Sequence, residues 1–178
     1  MILTIVIGPM FSGKSTFIIN KASETNDKYI VLKPIIDNRY SENMVVSHDK
    51  QQIKATSSNK LLNSLLLDNI LKCKKIYVDE GQFFDDLYDF VEYLDEKKYT
   101  GELFVCGLNG DFKRKPIGKI NSLLPRADDI IFLKGICSVC GKKSSFSKKI
   151  INVSDNYDQI DFGGSEKYHP VCGKCYLN

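Results

Sequence analysis

A glycine-rich stretch near the amino terminus has the residues to bind phosphate. Residues 8 to 16 read GPMFSGKST, which fits the pattern G-x-x-x-x-G-K-[ST]. In that pattern the backbone approaches the phosphates, the lysine supplies positive charge and the serine hydroxyl reaches Mg²⁺. An apolar run over residues 3–7 precedes it and a helical pattern follows from Lys14, as the motif requires. The sequence therefore predicts a nucleotide-phosphate site over Gly8, Pro9, Met10, Phe11, Ser12, Gly13, Lys14, Ser15 and Thr16.

Two adjacent acids end another apolar run. Asp79 and Glu80 follow Ile76, Tyr77 and Val78 directly. Behind a phosphate loop, a carboxylate at a strand end is typical of a Mg²⁺ ligand, and we assign that role to Asp79 together with Ser15. Glu80 is then available as a general base. It would activate water in an ATPase, or a substrate hydroxyl in a kinase.

Four of the six cysteines form two CxxC pairs. Cys137 and Cys140 make the first pair, and Cys172 and Cys175 make the second. This spacing favours a metal over disulfides or free thiols in a reducing compartment. Four thiolates leave no open coordination position, so the predicted Zn²⁺ site is structural. His169 is expected to be a local hydrogen-bond partner rather than a ligand.

Strands and helices alternate along the chain. Short apolar runs predict strands at 3–7, 29–32, 76–78, 103–106 and 130–133. Leucines and aromatic residues at helical spacing predict helices over 14–23, 59–71 and 84–97. Such alternation is typical of an α/β fold with a mainly parallel sheet and helices on both faces. Ligands bind at the carboxyl ends of such strands, so the glycine-rich loop and the acid pair are expected to meet there.

Composition limits the other functions of the chain. With 178 residues, 43% of them hydrophobic and 26% charged, it is long and apolar enough for one folded domain with a small appendage. Its net charge of +3 is weaker than that of a typical duplex-binding domain. No apolar run is long enough to span a bilayer, and no signal peptide is evident. We expect a cytoplasmic protein that binds neither nucleic acid nor membrane.

Several short motifs together resemble those of a known family. In order along the chain they read GPMFSGKST, DNRY, SHD, DEGQFF, LNGDFKRKP, CSVC, GGSEKYHPVC and CGKC. This series is similar to that of thymidine kinases of the cytosolic, type II class. The resemblance covers essentially the whole chain, and the joint occurrence of these motifs is far more specific than the phosphate loop alone.

The resemblance implies a P-loop core joined to a zinc-bound lobe, whose lasso closes over a nucleoside. We place the ATP-binding α/β domain at residues 1–135 and the zinc-binding lasso domain at residues 136–178. The implied reaction transfers the γ-phosphate of ATP to the 5′-hydroxyl of thymidine or deoxyuridine, with Mg²⁺ and structural Zn²⁺ as cofactors. The family also implies a homotetramer and feedback inhibition by thymidine triphosphate.

The family's site residues carry over to matching positions. Glu80 in DEGQ is implied as the general base, and Asp37, Arg39, Arg114 and Gln82 as residues near the phosphates. The nucleoside pocket is implied to consist of Met10, Phe83, Leu108, Phe112, Ile117, Ser147, Gly163 and Tyr168. Phe83 would stack on the base, and the four paired cysteines match the zinc ligands.

The chain departs from the family at four pocket positions. Ile117 stands where the family usually has phenylalanine, and Asp111 replaces a neutral residue before Phe112. Gln159 and Asp161 lie where apolar residues often precede the lasso glycines. These departures are expected to affect base selectivity rather than the reaction.

Two other classes fit parts of the sequence. A P-loop ATPase acting on nucleic acid, with a zinc-ribbon grip, would share the phosphate loop, the acid pair and the CxxC pairs. A non-catalytic zinc-ribbon interaction module would need neither Lys14 nor Glu80. Release of ADP in response to thymidine or to DNA separates the first class from a kinase.

Overall fold

A computed structural model of the chain describes residues 1–37, 43–47, 50–150, 159 and 163–178. At its centre lies a six-stranded parallel sheet whose neighbouring strands are, in order, Thr56–Ser58 (β5), Tyr29–Pro34 (β2), Lys75–Val78 (β6), Glu102–Leu108 (β7), Ile2–Gly8 (β1) and Asp129–Phe132 (β8). The predicted α/β fold is therefore confirmed. The strands of the first 135 residues, which we call the sheet body, are β1 Ile2–Gly8, β2 Tyr29–Pro34, β3 Met44–Val46, β4 Gln52–Lys54, β5 Thr56–Ser58, β6 Lys75–Val78, β7 Glu102–Leu108 and β8 Asp129–Phe132.

Alternating side chains give the sheet two buried faces. Along β1, Leu3, Ile5 and Ile7 join one apolar cluster, whereas Val6 joins the other. The strands β6 and β7 divide their side chains between the two clusters in the same way. This period of two is what buries both faces of a parallel sheet.

Helices cover both faces. They are α1 Lys14–Ser23, α2 Ser64–Leu71 and α3 Leu87–Glu96, with 3₁₀ turns at Gly81–Phe83 and Ile120–Arg126. Residues of α1 pack in the cluster that contains Val6, and residues of α2 and α3 pack in the larger cluster on the opposite face. The predicted bounds of α1 are confirmed.

The predicted starts of the other two helices are wrong. The second helix begins at Ser64 rather than residue 59, because Asn63 caps it by accepting a hydrogen bond from Leu65 N at 3.0 Å. The third begins at Leu87 because Phe84 is extended (φ −98°, ψ 110°) after the 3₁₀ turn. Phe84 still belongs to the core, where its side chain is fully buried.

Residues 136–178, which we call the cysteine lobe, contain short elements, the first of which begins at Gly135, the last residue of the sheet body. They are β9 Gly135–Ile136, β10 Lys143–Ser144, β11 Phe146–Lys149, β12 Tyr168–Val171 and α4 Gly173–Leu177. The strands pair as two antiparallel ribbons, β9 with β10 and β11 with β12. Within the described part of the chain, no helix has both the length and the apolar character to cross a membrane.

Candidate active site

A cavity of about 600 Å³ lies at the carboxyl ends of the central strands. Its wall includes segments that follow β1, β2, β6 and β7, together with residues of the cysteine lobe. This volume is within the ordinary range for small-molecule sites. The cavity brings together Met10, Phe11, Ser12, Gly13, Lys14, Ser15, Thr16, Asp37, Asp79, Glu80, Gln82, Phe83, Leu108, Phe112, Ile117, Ser147, Gly163 and Tyr168.

The remaining sequence-predicted residues lie elsewhere or are not described. Gly8 and Pro9 are next to the cavity and accept hydrogen bonds from Lys14. Arg39, Asp161 and much of the lasso lie outside the described residues. Arg114 was expected near the phosphates, but its guanidinium lies 4.3 Å from the ring centroid of Tyr176 and is not part of the cavity wall.

The glycine-rich turn between β1 and α1 lines the cavity. Gly13 precedes α1 with φ of +89°, a conformation that glycine adopts without strain. It offers no side chain to the first N–H groups of α1, which suits a helix end that receives an anion. Lys14 is buried beside it, and its Nζ donates to Pro9 O at 2.8 Å and Gly8 O at 3.3 Å. The lysine ammonium is therefore held against the turn.

Both acids after β6 face this cavity. Asp79 is 4% exposed, its Oδ2 accepts from Ser15 Oγ at 3.3 Å, and its Oδ1 accepts from Glu80 N at 3.0 Å. Glu80 adopts a left-handed conformation (φ 49°, ψ 43°) at the start of the 3₁₀ turn. Adjacent strand residues point to opposite sides, so this break in the strand explains how both side chains line one cavity.

The environment of Asp79 opposes ionisation. Burial, followed by the nearby carboxylates of Glu80 and Asp37, raises the pKa of Asp79 to about 7. The ammonium of Lys14 and the N–H of Glu80 act in the opposite direction. A divalent cation beside Asp79 and Ser15 would favour the ionised carboxylate, and both side chains offer the hard oxygen ligands that Mg²⁺ prefers.

Apolar and aromatic side chains also line the cavity. Phe83 is half-buried, Ile117 is buried, and the rings of Phe112 and Tyr168 lie 6.3 Å apart between centroids. A flat base packs well on such rings. Ser147 Oγ accepts a hydrogen bond from Met10 N at 2.9 Å, which connects the cysteine lobe to the glycine-rich turn.

Sequence reasoning missed Lys33 as a cavity residue. It lies in β2, is 3% exposed, and its Nζ donates to Met44 O at 3.2 Å. The same Nζ is 4.0 Å from Asp37 Oδ2. The available signal was a lysine at the end of an apolar strand with an aspartate four residues later, since a buried lysine needs a carboxylate partner.

The four paired cysteines meet at one point of the lobe. Their sulfur atoms all lie within 4.8 Å of one another, and Cys140 Sγ is 3.6 Å from Cys172 Sγ. Tetrahedral zinc with bonds of about 2.3 Å places sulfurs about 3.8 Å apart, so the group is compatible with structural zinc. Among the described residues, His169 does not belong to this group.

Backbone donors stabilise the thiolate form of two of these four cysteines. Burial opposes ionisation of Cys137, but N–H groups of Cys172, Cys140 and Val139 outweigh it and lower the pKa of Cys137 to about 6. Backbone N–H donation from Cys175 likewise lowers the pKa of Cys172. Thiolates are the form that binds metal.

A parallel sheet with a glycine-rich turn, a buried lysine and a carboxylate pair around one cavity has the features of a phosphoryl-transfer enzyme. The family model described as thymidine kinase matches residues 1–176, and the chain belongs to this family.

Named relatives agree with the family match. The proteins named thymidine kinase from raccoon poxvirus and fowlpox virus (strain NVSL) are 36% and 37% identical to the chain. The alignment covers 99% of this chain and 97% of the raccoon poxvirus protein, and 98% and 96% for the fowlpox virus pair. The thymidine kinase of vaccinia virus (strain Western Reserve) is 35% identical, with 99% of this chain and 97% of the relative covered.

Proposed function

We propose that this enzyme transfers the γ-phosphoryl group of ATP to the 5′-hydroxyl of thymidine, giving thymidine monophosphate and ADP. The carrying observation is that Lys14, Ser15, Asp79 and Glu80 line the same cavity as an aromatic wall. A phosphate donor and a planar nucleoside therefore have complementary ends of one site. The family match and the names of the relatives support the same reaction.

The proposed roles follow from where each side chain lies. Lys14, held against the glycine-rich turn, neutralises donor phosphates, and backbone N–H groups of the turn contact their oxygens. Ser15 and Asp79 would hold Mg²⁺, which when bound neutralises charge on the transferring phosphoryl group. Glu80 accepts the proton of the 5′-hydroxyl as that oxygen attacks phosphorus and ADP leaves.

The other residues of the cavity bind and enclose the acceptor. Phe83 packs on the base, while Met10, Leu108, Phe112 and Ile117 give the apolar surroundings that a pyrimidine ring and its methyl group prefer. We include deoxyuridine as a second acceptor because it differs from thymidine by that methyl group alone. A panel of thymidine, deoxyuridine and deoxycytidine with labelled ATP measures this selectivity.

We divide the chain into a phosphate-binding domain, residues 1–135, and a zinc-binding lobe, residues 136–178. The four thiolates of the lobe would hold one Zn²⁺ as a closed structural site. Such a thiolate site is typical of a reducing compartment, which supports a cytoplasmic location.

Feedback inhibition by thymidine triphosphate is part of the proposal. Since the base-binding and phosphate-binding ends share one cavity, a molecule that carries both groups would occupy both ends at once. Inhibition of the wild type should therefore be competitive with thymidine, and calorimetry should show weaker binding of thymidine triphosphate to Lys14→Ala, which removes phosphate contacts. Uncompetitive inhibition would place the effector at another site.

The homotetramer is supported by the exposed edge of the sheet. Ile130 and Phe132 on edge strand β8 are 48% and 42% exposed and lie two residues apart, on one face. Exposed apolar edge strands pair readily with another chain. Light scattering on the wild type should give a tetramer mass, and Phe132→Glu should reduce it. A monomeric wild type would contradict the assembly.

The central experiment combines Glu80→Gln with a choice of acceptors. Wild-type ADP production should rise with thymidine and stay unchanged with DNA, whereas an ATPase acting on nucleic acid would respond to DNA. Loss of a general base lowers turnover by about 10²–10⁴-fold, and both substrates should still bind because Gln keeps the side-chain size. The exposed Glu96→Gln is the matched control. Near wild-type transfer by Glu80→Gln would contradict the proposal.

A further inference from the structure

Gln82 makes two hydrogen bonds that join separate parts of the site. It is 3% exposed and lies in the 3₁₀ turn after the acid pair. Its Nε2 donates to Glu80 Oε2 at 2.6 Å, and its Oε1 accepts from Leu108 N at 3.0 Å. One buried amide therefore connects the proposed base to the end of β7.

The chemistry of these partners fixes the orientation of the amide. A backbone N–H only donates, so the oxygen of Gln82 must face Leu108. The nitrogen must then face Glu80, whose carboxylate accepts it. A reversed amide would set donor against donor at Leu108 and acceptor against acceptor at Glu80. The assignment therefore does not depend on which amide atom is named oxygen.

Two glycines make room for Gln82. A side chain at Gly107 would overlap Gln82 Oε1, and one at Gly118 would overlap the Gln82 carbonyl. Gly118 also has φ of +58°, which other residues rarely adopt. The side chain and the backbone of Gln82 are thus both confined, because the backbone at Gly107 and at Gly118 approaches them closely.

Glu80 itself has a conformation that needs such support. Its left-handed backbone (φ 49°) is unfavourable for a residue with a side chain. Glu80 is only half-buried, so burial alone restricts its side chain weakly. The short hydrogen bond from Gln82 restricts the carboxylate where it enters the cavity.

We propose that Gln82 is a positioning residue: it holds the Glu80 carboxylate in the orientation that receives the proton of the acceptor hydroxyl. This inference rests on the proposed role of Glu80. Gln82 takes no proton and forms no bond to substrate in this step. The family resemblance implies a place near the phosphates for Gln82, and in the structure its amide is engaged by Glu80 and Leu108.

The test is a double-mutant cycle with Gln82→Met and Glu80→Gln. Met keeps the length of the side chain and removes both hydrogen bonds. Misplacing a reacting group by about 1 Å costs up to about 10²-fold, so we expect kcat to fall roughly 10- to 100-fold while thymidine affinity stays near wild type. In the Glu80→Gln background, Gln82→Met should have little further effect, because the group it positions is already gone.

Gln159→Met is the matched control. Gln159 is another glutamine of the cavity wall, and its Nε2 donates to Asp111 and Pro116. Gln159→Met should raise KM for thymidine. In the double variant with Glu80→Gln, the two effects on kcat/KM should multiply, as expected for residues that act separately. Thermal unfolding and thymidine calorimetry on each variant separate misfolding from misplacement.

The outcomes distinguish the two proposals. If Glu80→Gln keeps near wild-type transfer, the proposed base itself is wrong. If Glu80→Gln lowers kcat as expected while Gln82→Met keeps wild-type kcat, or lowers kcat by the same factor in both backgrounds, the base stands and the positioning role fails. A fall in kcat that disappears in the Glu80→Gln background supports the inference.

Discussion

The sheet body and the cysteine lobe are stabilised in different ways. The body buries two apolar clusters, and the larger contains 18 fully buried or nearly buried residues. Among the described residues of the lobe, Cys137, Tyr168 and Val171 are the buried hydrophobic residues. A segment this small rarely folds on its apolar core alone. The proposed catalytic acids therefore have a rigid support, whereas the proposed nucleoside-binding residues of the lobe depend on sulfur chemistry and on contacts with the body.

Besides the two hydrogen bonds from Gln159 Nε2 to Asp111 and Pro116, three further hydrogen bonds among the described residues connect the lobe to the body. They run from Met10 N to Ser147 Oγ, from Asn109 Nδ2 to Ser145 O, and from Tyr176 Oη to Phe112 O, at 2.9, 3.1 and 2.8 Å. They join the lobe to the glycine-rich turn and to the loop after β7. Disruption of the lobe should therefore reach the site without disrupting the sheet.

Loss of the metal should have the largest effect. Cys140→Ser, or strong chelation, removes one thiolate or the ion itself, and we expect phosphoryl transfer to fall below detection. Hydrogen exchange should show lost protection in β11 and β12 with protection kept in β1, β6 and β7. Metal analysis of the wild type should give close to one zinc per chain.

Cys73→Ser provides the control for that experiment. Cys73 is buried in the body, where its thiol donates to Asn69 O at 3.2 Å, and serine can make the same bond. Zinc content and turnover should remain. Full activity of zinc-free enzyme, or global unfolding on chelation, would show that the two regions do not differ as described.

Truncating a large side chain in the core of the sheet body should instead destabilise the whole chain and leave the sulfur site of the lobe intact. Phe90 is fully buried in the larger cluster, and Phe90→Ala should cost about 3–5 kcal/mol of unfolding free energy. Denaturant unfolding should show a lower midpoint for the whole chain, with zinc still bound under native conditions. Loss of zinc from the folded variant would mean that packing in the body core directly affects zinc binding in the lobe.

The sequence was sufficient to predict the order of most strands and helices along the chain but not every boundary. Strand β1 and helix α1 were predictable because apolar alternation and the glycine-rich turn are local signals. The start of α2 was not, because Leu61 N and Leu62 N donate to the carboxylate of Asp86, a residue distant in the sequence. The leucines before Ser64 therefore continue the apolar pattern without being helical.

Motifs likewise predicted which residues line the site but not how they contact one another. Lys14, Asp79 and Glu80 belong to short recognisable segments and lie in one cavity. The contacts of Gln82 with Leu108 and of Gln159 with Asp111 depend on how distant segments pack. Such pairs have no local pattern, because each side chain alone is compatible with a solvated loop.

Asp79→Asn tests whether the ionised carboxylate of Asp79 destabilises the folded sheet body. The folded protein binds the Asp79 proton more strongly than the unfolded chain, whose ordinary pKa is 3.8, because the folded pKa is about 7. Stability from this group is therefore lost as pH rises between these values, and the loss is complete above the folded pKa. Without Mg²⁺, Asn should raise the melting temperature by a few degrees at pH 8 and little at pH 4.

The same variant should lose function. Mg²⁺·ATP should stabilise the wild type against heat and stabilise Asp79→Asn much less, since the charged ligand is gone. Asp85→Asn, at an exposed site, should melt like the wild type at each pH. Equal melting shifts for Asp79→Asn at pH 4 and pH 8 would contradict the raised pKa.

Asp111→Asn should give the smallest effect, at a contact that joins the two regions. Asp111 Oδ1 accepts from Lys113 N and Lys115 N at 2.8 and 2.7 Å, and Oδ2 accepts from Gln159 Nε2 at 2.9 Å. Asn keeps the first oxygen but turns an amide nitrogen toward Gln159, so two donors meet. If Gln159 reverses its amide, its oxygen then opposes Pro116 O, which now accepts from Nε2 at 2.8 Å.

Either arrangement of Asp111→Asn loses one hydrogen bond, and a typical hydrogen bond contributes about 0.5–1.5 kcal/mol. A loss of that size corresponds to a rise of roughly 2- to 10-fold in KM for thymidine. We expect kcat and zinc content to stay unchanged, because the loop turn and the sulfur site remain intact. Gln159→Met should give a similar rise, and the double variant no more than either alone. If the two effects instead multiply, each residue acts separately and this contact does not transmit lobe position to the nucleoside site.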